Sequence, residues 1–216
     1  DVLGSRGLGD VYKRQGAQKQ ALEKLNIEHE IINTIEWDIN AIYAYDIMHH
    51  NDNSPSKLSK HEIIERLANV TLSPDGKKPF SDNGLYRIKE EKLQKLYAAI
   101  RRNNNLCDIT QVSGDMIPDD TDLLTYSFPC QDLSIGSVWY NKDNDGIRKG
   151  AKTRSGLLWE IERILRERIM INVPLPKFLL MENVNAITSP KHNPNFVQWQ
   201  EELESMGYTN KVYKGL

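Results

Sequence analysis

Hydrophobic and polar positions follow two periods that alternate along the chain. Apolar residues at helical spacing predict helices over residues 17–25, 41–48, 157–165 and 196–205. Short apolar runs between them predict strands at residues 31–35, 122–126, 178–181 and 208–213. Because strands alternate with helices of this length, the pattern predicts an α/β fold with a doubly wound, mostly parallel sheet.

Two stretches depart from this alternation. Residues 1–15 show neither period and run into Gly16 without a loop signal, so we expect a non-native or spurious segment there. A nucleotide-binding glycine loop is the alternative, but no apolar strand precedes these glycines. Residues 49–105 are polar and contain Pro74-Asp75-Gly76, a turn signal. We interpret them as an insertion with helices at 61–68 and 89–101.

Composition narrows the class of protein. The 216 residues are 39% hydrophobic and 27% charged, which is typical of a soluble globular domain. No apolar run approaches the roughly 18–20 residues that span a bilayer, and no secretory signal opens the chain, so we expect a cytoplasmic protein without membrane contact. The net charge of −2 argues against a protein that coats nucleic acid. Cys107 and Cys130 are too few for a disulfide scaffold or a four-ligand zinc site, and we expect no metal.

Unusual residues follow two of the predicted strands. The strand at 122–126 leads into Ser127-Phe128-Pro129-Cys130-Gln131, and the strand at 178–181 leads into Glu182-Asn183-Val184. In an open parallel sheet, ligands bind beyond the carboxyl ends of the strands. We therefore expect Cys130 and Glu182 in one crevice. A lone cysteine is usually a small buried hydrophobe, but a cysteine after proline at a strand end fits that interpretation poorly.

These two segments resemble the catalytic motifs of the DNA cytosine-5 methyltransferases of bacterial or phage type. The resemblance implies a Rossmann-like S-adenosylmethionine-dependent methyltransferase fold. It also implies that Cys130, preceded by Pro129, attacks the cytosine ring, while Glu182 and the adjoining Asn183 act at the ring nitrogen. No metal takes part in this chemistry.

The resemblance extends to residues for S-adenosyl-L-methionine. Gly16 is similar to the last residue of the family's glycine loop. Glu36-Trp37 resembles the pair that binds the ribose hydroxyls and stacks on the adenine, and Asp108-Ile109 resembles the pair that binds the adenine edge and face. Ser127 and Leu157 complete the implied cofactor set. Each has a simpler alternative. An acid like Glu36 ends the second strand of many nucleotide-binding proteins, Asp108 could be a turn or capping residue, and Ser155 beside Leu157 could cap a helix.

For the substrate, the resemblance implies double-stranded DNA with the target cytosine flipped out of the stack. Residues 140–154 hold five basic residues against two acidic ones. This local charge predicts a loop that approaches phosphates, although an ordinary solvated loop would have a similar composition. The predicted DNA contacts are Gln131, Ser134, Arg148, Lys149, Lys152 and Arg154.

The resemblance covers residues 16–216 apart from the insertion, so we expect a partial catalytic domain. A Gln-Arg-x-Arg motif and a target-recognition region would follow in the family, and we expect their absence to leave this chain with little activity alone. The implied setting is a restriction-modification or phage system, with a cognate restriction endonuclease as a possible partner. An RNA (tRNA) cytosine-5 methyltransferase and an inactive fragment or non-catalytic protein on the same scaffold are the alternatives.

Overall fold

The computed structural model describes residues 17–128, 147–149 and 157–214. The segment at 1–15 that we expected to be non-native lies outside these ranges. The described residues form an α/β arrangement in which four α-helices come first, and strands and helices alternate from residue 123 onward. The α-helices are α1 (Ala17–Lys24), α2 (Ile39–His50), α3 (Lys60–Arg66), α4 (Glu90–Arg102), α5 (Leu158–Met170) and α6 (Asn193–Ser205). The strands are β1 (Leu123–Ser127) and β2 (Phe178–Glu182), which pair in a small parallel sheet.

The helical periodicity located the helices to within a few residues, and the predicted strands at 122–126 and 178–181 are confirmed as β1 and β2. The other two predicted strands are wrong. Residues 31–35 form only an isolated parallel bridge, between Thr34 and Asn105, and residues 208–213 form no strand. An apolar run forms a β-strand only where another segment pairs with it through a series of backbone hydrogen bonds. The sequence of the run does not determine whether such a partner is present.

The first of two compact units comprises residues up to 111 together with Leu124–Tyr126. Two of its described helices, α2 and α3, begin with side-chain caps. The Asp38 side chain accepts a hydrogen bond from Asn40 N at 2.8 Å and starts α2, and Ser59 forms a capping box with Glu62 at the start of α3. Helix α4 has acidic residues in its first turn and basic residues in its last, which suits the helix dipole.

The core of the first unit is built largely from the predicted insertion. Helix α4 packs against both α2 and α3. Fully buried residues of this core include Ile63 on α3 and Leu93 and Leu96 on α4, and Ile42 on α2 belongs to the same cluster. Residues 49–105 supply eight of the eleven buried residues of this cluster, and the burial of a large apolar side chain contributes about 1.5–3 kcal/mol. Whether they are an insertion relative to other proteins stays a prediction.

The second unit comprises residues 112–123 and those from Ser127 onward. Helix α5 packs against a 3-10 helix at Gly114–Met116, and Arg168 on α5 is 1% exposed. The Arg168 guanidinium donates hydrogen bonds to the carbonyl oxygens of Gly114, Ile117 and Pro174 and forms an ion pair with Asp119 at 3.0 Å. A buried charge of this kind is tolerated because its donors are matched by acceptors.

In the described part of the chain, no helix is both long and apolar enough to cross a membrane.

Candidate functional site

Glu36 and Cys107 are held together by the side chain of Asn105. The Asn105 Oδ1 atom accepts hydrogen bonds from Glu36 N at 2.9 Å and Cys107 N at 3.0 Å, and Asn105 Nδ2 donates to Glu36 O at 3.0 Å. The same two segments are also joined through their backbones, because Leu106 N donates to Thr34 O at 2.8 Å. Two adjacent segments, joined directly by hydrogen bonds, therefore carry the predicted pairs Glu36-Trp37 and Asp108-Ile109.

The backbone around Trp37 is fixed by Ser73, a residue of the predicted insertion. Ser73 N donates to Trp37 O at 2.8 Å, and Ile39 N donates to Ser73 O at 3.0 Å. The carboxylate of Glu36 turns back to accept a hydrogen bond from Asp38 N at 2.8 Å. Both Glu36 and Trp37 are buried. The backbone at Trp37 and Ile39 is therefore held by a residue that lies more than 30 positions away in sequence.

Asp108 is a turn residue, as the simpler interpretation of its sequence expected. Its Oδ1 atom accepts a hydrogen bond from Thr110 N at 3.0 Å, and its carbonyl accepts from Gln111 N at 2.9 Å, which starts a 3-10 helix at Ile109–Gln111. A turn bond to one oxygen does not exclude a role in cofactor binding, because a carboxylate has about four acceptor sites. Ile109 beside it is buried and apolar, as a residue that packs against a flat aromatic ring would be.

The pKa of the Cys107 thiol reflects the negative charge of this region. Burial, followed by the negative charges of Glu36 and Asp108, raises the pKa of the Cys107 thiol to about 12. The thiol is therefore protonated at neutral pH, unlike a nucleophilic cysteine. The site combines carboxylate acceptors with an indole and an aliphatic side chain. This donor-acceptor set fits a ligand with hydroxyl and amino donors on an aromatic body, such as adenosine.

On the second unit, the segments that follow β1 and β2 are joined by a direct hydrogen bond. Asn183 Nδ2 donates to Phe128 O at 3.1 Å, while Asn183 Oδ1 accepts from Val184 N at 2.8 Å. Phe128 is buried and lies two residues before Cys130. Glu182 ends β2 and is exposed. Asn183 thus connects the described end of one predicted motif to the other.

The described part of the basic stretch is anchored to α5 and α6. Lys149 Nζ lies 2.8 Å from carboxylate oxygens of both Glu162 and Glu202, and it lies 5.0 Å from the centre of the Trp159 ring. Trp159 Nε1 in turn donates to the carbonyl of the fully buried Ile147 at 2.9 Å. Desolvation by itself would lower the pKa of Lys149, but the hydrogen bonds to the two glutamates outweigh it and raise the pKa.

The predicted site residues thus fall into two described groups and one undescribed group. Glu36, Trp37, Asp108 and Ile109 lie together in the first unit, and Ser127, Leu157, Glu182, Asn183, Arg148 and Lys149 lie in the second. The remaining predicted residues lie outside the described residues: Gly16, Pro129, Cys130, Gln131, Ser134, Lys152 and Arg154. Within the described ranges, no three His, Cys, Asp or Glu side chains gather as metal ligands.

Sequence reasoning missed Asn105 and Ser73. Asn105 closes a run of three asparagines just before Cys107, and a run of that kind is typical of a loop. Ser73 precedes the turn at Pro74-Asp75-Gly76 and has the composition of that turn. Neither residue carries a sequence signal for its role, because each acts on a backbone segment more than 30 residues away.

Comparison with known proteins places this arrangement among DNA methylases. Residues 85–214 match the family model described as C-5 cytosine-specific DNA methylase. The orphan methyltransferase M.SssI of Spiroplasma monobiae is 41% identical over 204 residues, which is 91% of this chain and 51% of that protein. The type II methyltransferase M2.ScrFI of Lactococcus lactis subsp. cremoris is 34% identical over 205 residues, which is 93% of this chain and 53% of that protein. The chain therefore spans about half the length of these curated relatives.

Proposed function

Because the chain belongs to the C-5 cytosine-specific DNA methylase family, we propose that it forms the catalytic part of an enzyme that methylates carbon 5 of cytosine in DNA. The observation that carries this proposal is the hydrogen bond from Asn183 Nδ2 to Phe128 O at 3.1 Å. It joins Phe128, two residues before Cys130, to Asn183, the residue after Glu182, which supports a role for both segments in one site. A nucleophile and an acid separated by about fifty residues are useful to one reaction only if they meet in space.

In the proposed mechanism, the thiolate of Cys130 adds to carbon 6 of the cytosine, and a carbon–sulfur bond forms. The electron pair of the 5,6 double bond moves to carbon 5, while negative charge grows at ring nitrogen 3. Glu182 stabilises that charge by sharing a proton with nitrogen 3. With S-adenosylmethionine bound, carbon 5 would take its methyl group as the bond between that methyl and the sulfonium sulfur breaks, and S-adenosylhomocysteine would leave. A base finally removes the proton from carbon 5, the double bond re-forms and the thiolate leaves.

For the cofactor, we propose Glu36 and Trp37 at the ribose and adenine and Asp108 and Ile109 at the adenine edge and face. The carboxylates and the apolar side chains of this group fit the polar and flat parts of adenosine, respectively. Gly16, Ser127 and Leu157 belong to the same proposed set. S-adenosylmethionine, when bound, supplies the electrophilic methyl group. The doubly wound arrangement of the whole sheet is likewise a proposal, and the parallel pairing of β1 and β2 supports it.

For the substrate, we propose double-stranded DNA whose target cytosine is flipped into the site, because the reacting ring atoms are inaccessible inside a stacked duplex. Gln131, Ser134, Arg148, Lys152 and Arg154 remain the proposed DNA contacts. Lys149 belonged to this set, but a phosphate contact would have to compete with its bonds to Glu162 and Glu202. The names of the type II relatives support a restriction-modification setting with a cognate endonuclease as a proposed partner.

The experiment that tests this proposal traps the covalent intermediate. DNA containing 5-fluorocytosine blocks the final proton removal, so the enzyme stays bonded to the base. We expect the product of the complete open reading frame that encodes this chain to form a denaturation-resistant adduct in the presence of S-adenosylmethionine. Cys130→Ser should abolish the adduct. Cys107→Ser is the matched control and should retain it, because the Cys107 thiol is buried and protonated.

Two further outcomes separate the alternatives. An adduct with 5-fluorocytosine tRNA but none with DNA would assign the enzyme to RNA. No adduct with either nucleic acid, from a folded protein, would contradict the proposed activity and favour a non-catalytic protein. The same trapping assay on the 216-residue chain by itself measures whether these residues form the adduct without any other segment.

A further inference from the structure

We infer that Asn105 is a positioning residue for the adenosine part of the cofactor site, an inference that rests on the proposed function. Its side chain is the group that sets Glu36 in register with Cys107 and the following Asp108. Three hydrogen bonds, from 2.9 to 3.0 Å long, join its carboxamide to the backbone of Glu36 and Cys107. Asn105 is 8% exposed, so water is a poor substitute for these bonds.

The carboxamide takes the place of a strand backbone. Thr34 and Asn105 form a parallel bridge, but the pairing does not continue as a ladder. Cys107 has a φ of +63°, a left-handed conformation that turns its segment out of the strand direction. The amide oxygen and nitrogen of Asn105 instead meet the N–H and the carbonyl of Glu36. A side chain therefore supplies the hydrogen bonds that the next residues of a strand would have supplied.

This geometry places the cofactor residues just beyond the amide. Glu36 is bonded on both its N–H and its carbonyl, and its carboxylate is aimed at Asp38 N, 2.8 Å away. On the other segment, Cys107 N is bonded to the same oxygen, and Asp108 follows directly. The distance between the two carboxylates thus depends on one amide group. Only asparagine combines the required donor, acceptor and length at this position.

The test is a double-mutant cycle read by the affinity for S-adenosylhomocysteine, measured by titration calorimetry on the product of the complete open reading frame. We expect Asn105→Ala and Glu36→Gln each to weaken binding by about tenfold, as outer-shell and direct ligands do. In the Glu36→Gln background, Asn105→Ala should weaken binding by less than about threefold, because the part of its effect that passes through Glu36 is already lost and only the part through Asp108 remains. Asn104→Ala is the matched control, since Asn104 is exposed and its side chain donates to Ile32 O at 3.1 Å rather than to the backbone of Glu36 or Cys107.

A purely structural role would give the same loss of affinity in both backgrounds, and that result overturns the inference. So does wild-type affinity in a folded Asn105→Ala protein. If wild type itself binds no S-adenosylhomocysteine, the proposed function fails together with the inference. Wild-type binding with an unaffected Asn105→Ala variant removes the inference alone.

If Asn105→Ala does not fold, Asn105→Asp carries the test. Its carboxylate keeps the acceptor for both N–H groups but loses the donor to Glu36 O and adds a buried negative charge beside Glu36. Protonation at low pH restores a donor and removes the charge. We expect the affinity of Asn105→Asp, relative to wild type at the same pH, to recover by several-fold between pH 8 and pH 5.5. An equal deficit at both pH values overturns the inference.

Discussion

Lys149→Met distinguishes two roles for a residue that its sequence context assigned to DNA. The charge of residues 140–154 predicts a phosphate contact. In the structure, however, the ammonium group of Lys149 forms ion pairs with Glu162 and Glu202, at 2.8 Å each. Methionine keeps most of the aliphatic stem over the Trp159 ring and removes the charge. The substitution therefore deletes the ion pairs with little change in packing.

The magnitude follows from exposure. A hydrogen bond to a charged group contributes about 1.5–3 kcal/mol when well shielded. The Lys149 side chain is 42% exposed, so solvent screening reduces the two bonds together to roughly 1–2 kcal/mol. Glu162 is 7% exposed but keeps Arg166 Nε at 2.7 Å, so no buried charge is left alone. For a chain of this length the loss corresponds to a fall in Tm of roughly 2–8 °C.

Two measurements are needed, thermal unfolding and the salt dependence of DNA binding. Each phosphate contact contributes about 0.9 to the slope of log K against log salt concentration. If Lys149 is an anchor, Lys149→Met lowers Tm and leaves this slope unchanged. Arg148→Met is the matched control, since Arg148 is the exposed neighbour in the same described segment, and it should lower the slope by about one contact. A Lys149→Met protein with wild-type Tm and a slope reduced by about 0.9 would refute the anchoring role.

Other predictions concern the packing of each unit. Arg168→Met leaves the carbonyls of Gly114, Ile117 and Pro174 without their buried donor, and urea unfolding should show a loss of about 3–5 kcal/mol; a loss below 1 kcal/mol contradicts the network. Gly114→Ala places a Cβ 2.8 Å from Arg168 N and should lose about 1–3 kcal/mol in the same assay, unless the helix shifts freely. Cys107→Gly should be more stable than Cys107→Ala by up to about 1 kcal/mol, because a φ of +63° strains any residue with a Cβ; the reverse order would mean that strain is unimportant. Because the folded pKa of Cys107 is raised from 9.0 to about 12, its contribution to stability is present below pH 9 and is lost as pH rises towards 12. Cys107→Ala should remove that part of the alkaline decline in urea midpoints, and an unchanged decline would argue against the raised pKa.

Most of the helices could be predicted from the sequence because the residues that determine a helix lie close together along the chain. The helices α4 and α6 follow apolar spacings that one helical turn enforces, and caps such as Ser59 with Glu62 lie three residues apart. The strand interpretation of residues 31–35 failed for the opposite reason. An extended segment becomes a strand only through its partners, and those partners are distant in sequence.

The candidate site divides in the same way. The sequence by itself predicted the chemical groups, since Cys130, Glu182, Glu36 and Asp108 were chosen from their residue types, their neighbours and the family resemblance. Only the tertiary structure decided what holds these groups or redirects them. Asn105 reaches Glu36 across 69 residues, and Lys149 reaches Glu202 across 53. A hydrogen bond depends on distances of about 3 Å between atoms, and chain folding alone determines which distant atoms come that close.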